Sequence, residues 1–297
     1  MIRKQPEDFL TILKSYLPDP KKPIPVARRE FSAFYLEFQT DKLPAVEPVE
    51  IGNGVQGFWC TIPEIQTDDT LLFFHSGGFS VGSTEDHLGL IARIARAANA
   101  KIFSVDYRLA PEHPFPAASE DALMAYQYLV SHGTPPHRII PVGISAGGTL
   151  VLELLLALRD QHQPMPPAAV CMSPAVDMQF SGASVVPHND CDWFTNARLD
   201  AIKTMYLSGQ NLSDPSVSPL YASLSHLPPL YIQAGSDELM FDDISAFVKK
   251  AKWAGVQTRY EVWEGMFHCW QIFGEQIPEA KEAVDEIGAF VQEVFSR

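Results

Sequence analysis

Residues 138–149 read RIIPVGISAGGT: a β-branched run enters Gly143-Ile144-Ser145-Ala146-Gly147 and leaves as an apolar helical stretch. A strand that turns directly into a helix at a G-x-S-x-G pentapeptide lifts one serine hydroxyl clear of the backbone at the edge of a sheet. The glycines two residues either side are a steric requirement, because the serine sits in a strained conformation that larger neighbours would obstruct. Ser145 is therefore the first candidate for a reacting group. The same pattern also occurs as a glycine-rich turn that only caps a helix, so the rest of the chain has to decide between the two.

A serine nucleophile needs a base to take its proton and an acid to orient that base. Downstream, Pro229-Leu230-Tyr231-Ile232-Gln233-Ala234-Gly235 has the pattern of a buried strand, and Ser236-Asp237-Glu238 follows it. Asp237 fits the orienting acid. A second strand pattern over residues 257–263 ends in Glu264-Gly265-Met266-Phe267-His268, which makes His268 the candidate base. Asp242 and Asp243 lie further on and suit the first turn of a helix, where acids favour the dipole. A tetrahedral intermediate also needs donors aimed at its oxyanion, each worth about 2.7–4 kcal/mol. The strand pattern at 70–74 runs into His75-Ser76-Gly77-Gly78-Phe79, where two adjacent glycines can turn their amides toward Ser145. The amide of Ala146 supplies the third donor. His75 is expected to hold this loop through its ring rather than to act as a second base.

Strand patterns at 46–51, 55–61, 70–74, 101–105, 138–142, 168–172, 229–234 and 257–263 alternate with helical stripes, among them Leu88, Ile91, Ile94, Ala95 and Ala98, and Ala280, Ala283, Val284, Ile287, Val291 and Val294. Gly52-Asn53-Gly54 between the first two strands signals an antiparallel hairpin. Right-handed crossovers through the remaining helices build a mainly parallel sheet covered on both faces, with its functional loops at the carboxyl ends of the strands.

These blocks together resemble the hormone-sensitive lipase family of α/β-hydrolases. His75-Ser76-Gly77-Gly78 is similar to that family's HGGG loop, residues 143–148 to its GDSAGG box and residues 107–117 to its YRLAPEHPFPA stretch. Val217-Ser218-Pro219-Leu220, Gly235-Ser236-Asp237-Glu238 and the histidine after Gly265-Met266-Phe267 also match, so the likeness runs from about residue 70 to the C-terminus. It implies an eight-stranded α/β-hydrolase fold with a helical cap, a Ser145-Asp237-His268 triad and an oxyanion hole of Gly77, Gly78 and Ala146. It also implies that 107–117 is scaffold. Two departures stand out. Ser76 occupies the place of a first glycine and would be strained if that position needs positive φ. Ile144 replaces the acidic residue that commonly precedes the serine, which implies a drier elbow. Pro141 costs a central strand one ladder donor, to be absorbed by a bulge or a locally unpaired position.

Residues 1–45, with Phe31, Phe34, Tyr35 and Phe38 at helical spacing, and an insertion at about 176–225 containing Asp192-Trp193-Phe194 and a helix near 196–208, fall outside the alternation. They are expected to meet as a cap over a catalytic domain of residues 46–297, although the aromatic stripe also suits plain core packing. The 297 residues carry a net charge of −14, which argues against nucleic acid and anionic membranes as partners. Cys60, Cys171, Cys191 and Cys269 show no zinc or disulfide spacing, and Cys269 beside His268 suits a packed thiol. The first nine residues lack a leader's apolar run, and no stretch is long enough to span a bilayer, so a cytoplasmic location is expected. The expected function is a cofactor-free, metal-free serine carboxylesterase acting on small-molecule esters of short to medium acyl chains. Lactone hydrolysis, amide hydrolysis or deacetylation, and a non-catalytic small-molecule receptor remain as alternatives; so do monomer and a homodimer paired through the last strand.

Overall fold

The computed structural model describes Leu10, Lys14, residues 22–39 and residues 42–296; the leader-free segment expected at 1–9 lies outside them. Eight strands form one sheet in the order β1-β2-β4-β3-β5-β6-β7-β8. They are β1 Ala45–Gly52, β2 Val55–Thr61, β3 Thr70–Phe74, β4 Lys101–Asp106, β5 Ile139–Ile144, β6 Ala169–Met172, β7 Leu230–Gly235 and β8 Thr258–Trp263. The β1–β2 hairpin is antiparallel, as its glycine turn predicts, and β2 also runs antiparallel to β4. From β4 through β8 every pairing is parallel. Parallel neighbours require helical crossovers, and these cover both faces. The inner strands β3, β5, β6 and β7 are accordingly buried at every residue.

The helices are α1 Ile24–Glu37, α2 Leu88–Ala98, α3 Ala117–Ser131, α4 Ala146–Asp160, α5 Asn196–Met205, α6 Phe241–Trp253 and α7 Pro278–Phe295. One apolar core joins α3, α4 and α6 to the sheet, and a second joins α1, α2 and α7 to the opposite face. Helices α2 and α7 approach so closely that a Cβ on Gly288 would lie 2.4 Å from the Ala97 backbone. Asp242 and Asp243 do open α6.

Pro141 produces no bulge. The β3–β5 register runs unbroken through Leu72↔Pro141, and the β5–β6 ladder starts only at Val142↔Val170, so the missing amide falls just before pairing with β6 begins. The α1 aromatic stripe divides in two. Phe34 and Phe38 pack edge-on against Phe273, whereas Phe31 and Tyr35 face a cavity that residues 193–205 of the insertion also line.

Candidate active site

The elbow follows from its glycines. Ser145 adopts φ 55°, ψ −122° as the residue before α4, a region an L-residue occupies only when its surroundings enforce it. Its amide donates to Met172 O at 2.9 Å and its carbonyl accepts from Thr149 N–H at 3.1 Å. Thr149 Oγ1 in turn donates to Ala175 O at 2.7 Å. A Cβ on Gly143 would lie 2.1 Å from Gly147 O, and one on Gly147 would lie 2.0 Å from Phe74 O at the end of β3. The pentapeptide therefore brings strand β3, the elbow and the start of α4 closer together than side chains would permit. Ile144 is fully buried, which fits the drier elbow expected of it.

His268 lies beyond the end of β8, with Nε2 2.8 Å from Ser145 Oγ. Asp237 does not complete the relay. Its carboxylate accepts from Ser236 Oγ at 2.8 Å, and the oxygen 3.2 Å from His268 Nδ1 is Glu238 Oε2. The one-residue correction has a local cause. Glu238 N–H bonds back to Gly235 O in a tight turn after β7, and the longer glutamate side chain folds over the strand end. There Oε1 accepts from Gly235 N–H at 2.8 Å and Ser173 Oγ at 2.5 Å. Asp237 in the same turn instead bonds through its amide to Met266 O at 3.0 Å. With a carboxylate as partner, Nδ1 carries the proton and donates, leaving Nε2 to accept from the serine hydroxyl.

His268 is almost wholly buried. Burial lowers the pKa of its imidazolium, but the adjoining Cys269 sulfur and the Glu238 carboxylate more than offset this, and the net direction is well upward. Cys269 is itself buried, burial raises its thiol pKa, and its amide donates to Ser173 Oγ. It is buried as the packed thiol expected of it, but its sulfur meets the His268 side chain and it lines the cavity, which that expectation did not include. Cys60, Cys171 and Cys269 are buried free thiols and Cys191 an exposed one. No group of three metal-binding side chains occurs among the described residues.

The loop after β3 presents Gly77 and Gly78 to the same cavity as Ser145 and His268. Gly77 has φ 129°, and its Cβ would fall 1.9 Å from Val81 O, so no other residue fits there. Its carbonyl accepts from Ser80 and Val81 N–H. The amides of Gly77 and Gly78 donate to no protein acceptor among the described residues, and Ala146 opens α4. Ser76 carries no strain, since its φ is not positive. Its hydroxyl lies 2.9 Å from Tyr35 Oη on α1 and 2.8 Å from His87 Nε2, and its amide also reaches His87 Nε2 at 3.2 Å. His87 Nδ1 donates to Ser83 O, so Nε2 accepts. Burial pushes the His87 imidazolium down to about 3, keeping the ring neutral.

His75 has the structural role expected of it. Nδ1 lies 2.7 Å from Ser76 O, and the ring stacks on Tyr107 at 4.1 Å while Tyr107 Oη donates to His75 O. Burial lowers its pKa. Within the 107–117 stretch, Arg108 forks onto buried Asp121 and the Ala110 amide holds Phe79 O. Arg28 of α1 reaches Ser80 O, Ala110 O and Glu112.

The walls of the cavity above the serine include Phe31 and Tyr35 from α1 and Phe194, Arg198, Ile202 and Met205 from the insertion. The described residues include no helix long and apolar enough to cross a membrane.

Residues 71–272 match the family model described as alpha/beta hydrolase fold. An acetyl-hydrolase of Streptomyces hygroscopicus is 39% identical over 231 residues, 77% of each chain. An esterase of Acinetobacter venetianus is 36% identical over 229 residues, 76% of each. Among solved structures, an esterase from the bacterial hormone-sensitive lipase family superposes with a TM-score of 0.93 at 38% identity, covering 98% of this chain and 99% of that one. EstE5 soaked with p-nitrophenyl butyrate gives 0.91 at 35% identity over 98% and 99%. The chain belongs to the alpha/beta hydrolase fold family and, within it, to the bacterial hormone-sensitive lipase group of esterases.

Proposed function

We propose that this chain is a serine carboxylesterase in which Ser145 is the nucleophile, His268 the general base and Glu238 the orienting acid. The observation that carries the assignment is the continuous relay Ser145 Oγ–His268 Nε2 at 2.8 Å and His268 Nδ1–Glu238 Oε2 at 3.2 Å. Proton transfer to Nε2 frees the serine oxygen to attack an ester carbonyl. The Gly77, Gly78 and Ala146 amides then stabilise the oxyanion, and the imidazolium returns its proton to the departing alcohol. Water, activated by the same ring, cleaves the acyl-enzyme and regenerates the serine.

Residues 22–39 and the insertion act as the cap. Their apolar side chains exclude water and so strengthen the electrostatics beneath. A cavity walled mainly by apolar side chains, with Arg198 among its lining residues, favours uncharged acyl groups of short to medium length. Nitrophenyl esters of increasing chain length, run beside the matching anilides with wild type and Ser145→Ala, test the proposal. Expected are turnover that peaks at short to medium chains, anilides slower by orders of magnitude, and a loss of about 10⁴–10⁶ in kcat for Ser145→Ala. Faster anilide than ester turnover would reassign the chain as an amidase, and no ester turnover by wild type would favour a binding protein.

A further inference from the structure

Asp192, in the insertion between β6 and β7, is 1% exposed and its carboxylate bonds to backbone amides on two catalytic loops. Oδ1 accepts from His268 N–H at 3.1 Å and from Phe194 N–H at 3.2 Å. Oδ2 accepts from Leu239 N–H, next to Glu238, at 2.9 Å. One carboxylate thus ties the residue that bears the imidazole to the residue that follows its acidic partner. The next two side chains complete the hold on the histidine. Trp193 Nε1 donates to His268 O, and the Phe194 ring lies 4.7 Å from the imidazole, tilted by 36°. Amide, carbonyl and ring of His268 are therefore each met by consecutive residues of Asp192-Trp193-Phe194.

Building on the esterase assignment above, we propose that Asp192 is a positioning residue for the reaction, holding His268 and Glu238 in register across two separate loops and adding a second negative charge beside the imidazolium formed in the transition state. An isolated buried carboxylate is costly, and three amide donors make this one tolerable. An anchor serving the insertion alone would have no reason to bond the amides of residues 239 and 268. The Glu238–His268 contact is already long at 3.2 Å, so a slip of a few tenths of an ångström between the loops weakens the relay. The titratable groups packed around Asp192 are His268, Glu238 and the Cys269 thiol, together with His188, whose Nδ1 lies 2.9 Å from Glu238 O. Burial pushes the Asp192 carboxyl up to about 6, with His268 pulling it down and Glu238 raising it.

The test compares full-length wild type, Asp192→Asn, Asp192→Ala and Trp193→Phe on a short nitrophenyl ester, alongside an NMR titration of the His268 ring. Asp192→Asn keeps the shape and one acceptor but loses the charge. Expected are a ten- to hundred-fold fall in kcat with KM within about threefold, and a lower His268 midpoint that carries the acid limb of kcat/KM with it. A further fall is expected for Asp192→Ala, and a small one for Trp193→Phe. A folded Asp192→Asn with wild-type kcat and an unmoved His268 midpoint overturns the proposal. So does a loss confined to KM, or an Asp192→Asn chain that does not fold, which would assign the carboxylate to stability alone. The NMR midpoint is independent of turnover: if wild type hydrolyses no ester, the esterase assignment fails, while a shifted midpoint still reports the electrostatic half of this proposal.

Discussion

On the side of the cavity proposed to hold the oxyanion, the groups touching the Ser76 hydroxyl are neutral: the Tyr35 phenol and a His87 ring that burial holds uncharged down to about pH 3. On the base side, two buried carboxylates, Glu238 and Asp192, surround His268 and are satisfied by Gly235, Ser173, Leu239, Phe194 and the His268 amide itself. The difference follows what each side is asked to do in the proposed reaction. Amide donors keep their dipoles whatever the pH and need only to be aimed, so a neutral brace from α1 suffices. A base must become a cation and then lose the charge, so fixed anions are placed beside it, with backbone amides offsetting much of their desolvation. Both sides also take support from outside the sheet, α1 bracing the oxyanion loop and the insertion bracing the histidine.

The largest test of this contrast lies on the base side. Glu238→Gln keeps the side-chain length and removes the charge, and a fall in kcat of about 10²–10⁴ is expected, with Asp237→Asn within a few-fold of wild type. Steady-state kinetics on one ester decides between them. The reverse order would restore Asp237 as the acid and remove the charged half of the comparison. Next comes Gly77→Ala on the oxyanion side. A Cβ 1.9 Å from Val81 O at φ 129° has to displace the loop, and a loss of about 10²-fold or more in kcat is expected, comparable with removing an oxyanion donor. Wild-type activity in this variant would show that the Gly77 amide is not aimed at the oxyanion.

The strands show how much of this was legible. Alternation and turn signals placed β2 and β3 at their observed bounds, and the G-x-S-x-G spacing identified the elbow, because both express short-range sterics that a sequence carries in full. The carboxylate that contacts His268 lies one residue beyond the one expected. Asp237 and Glu238 are adjacent carboxylates after the same strand, and which of them turns back depends on a Gly235–Glu238 turn and on the reach of one extra methylene, neither of which periodicity reports. The presence of a glutamate beside the aspartate was the available signal. Asp192 was noticed only as part of an insertion, since its partners are backbone amides 47 and 76 residues away, and amides have no sequence signature. Ser76 looked like a strained substitution because a glycine was expected there. It is in fact relaxed, its hydroxyl engaged by Tyr35 and His87, a contact visible only once α1 has been placed.

A smaller effect is expected from that neutral brace. Tyr35→Phe removes one hydrogen bond to Ser76 and leaves the ring stacked on Phe31 at 4.2 Å, so a two- to tenfold loss in kcat is expected, in line with about 0.5–1.5 kcal/mol for one neutral hydrogen bond. Ser76→Gly should lose a similar amount by freeing the loop. A loss as large as that of Glu238→Gln would mean that the phenol takes part in the chemistry, and the two sides would no longer divide into neutral and charged.

The smallest expected effect is an absence of change, and it sharpens the comparison most directly. In the proposed reaction the active form of His268 is the neutral ring. Because its pKa is raised by Cys269 and Glu238 against the downward pull of burial, the active fraction falls as pH drops through a midpoint above the ordinary imidazole value of about 6.5. The acid limb of kcat/KM should therefore lie above that value in wild type. In Glu238→Gln it should move to lower pH, because the neutral amide no longer favours the imidazolium. Tyr35→Phe and Ser76→Gly alter no charge near the ring, and His87 stays neutral above about pH 3. Their activities relative to wild type should thus be flat between pH 5 and 9, whereas the ratio for Glu238→Gln should rise steadily as pH falls. A sloping ratio for the Ser76 variants would show that the oxyanion loop senses the protonation of His268, and the two sides would then have to be treated as one coupled unit.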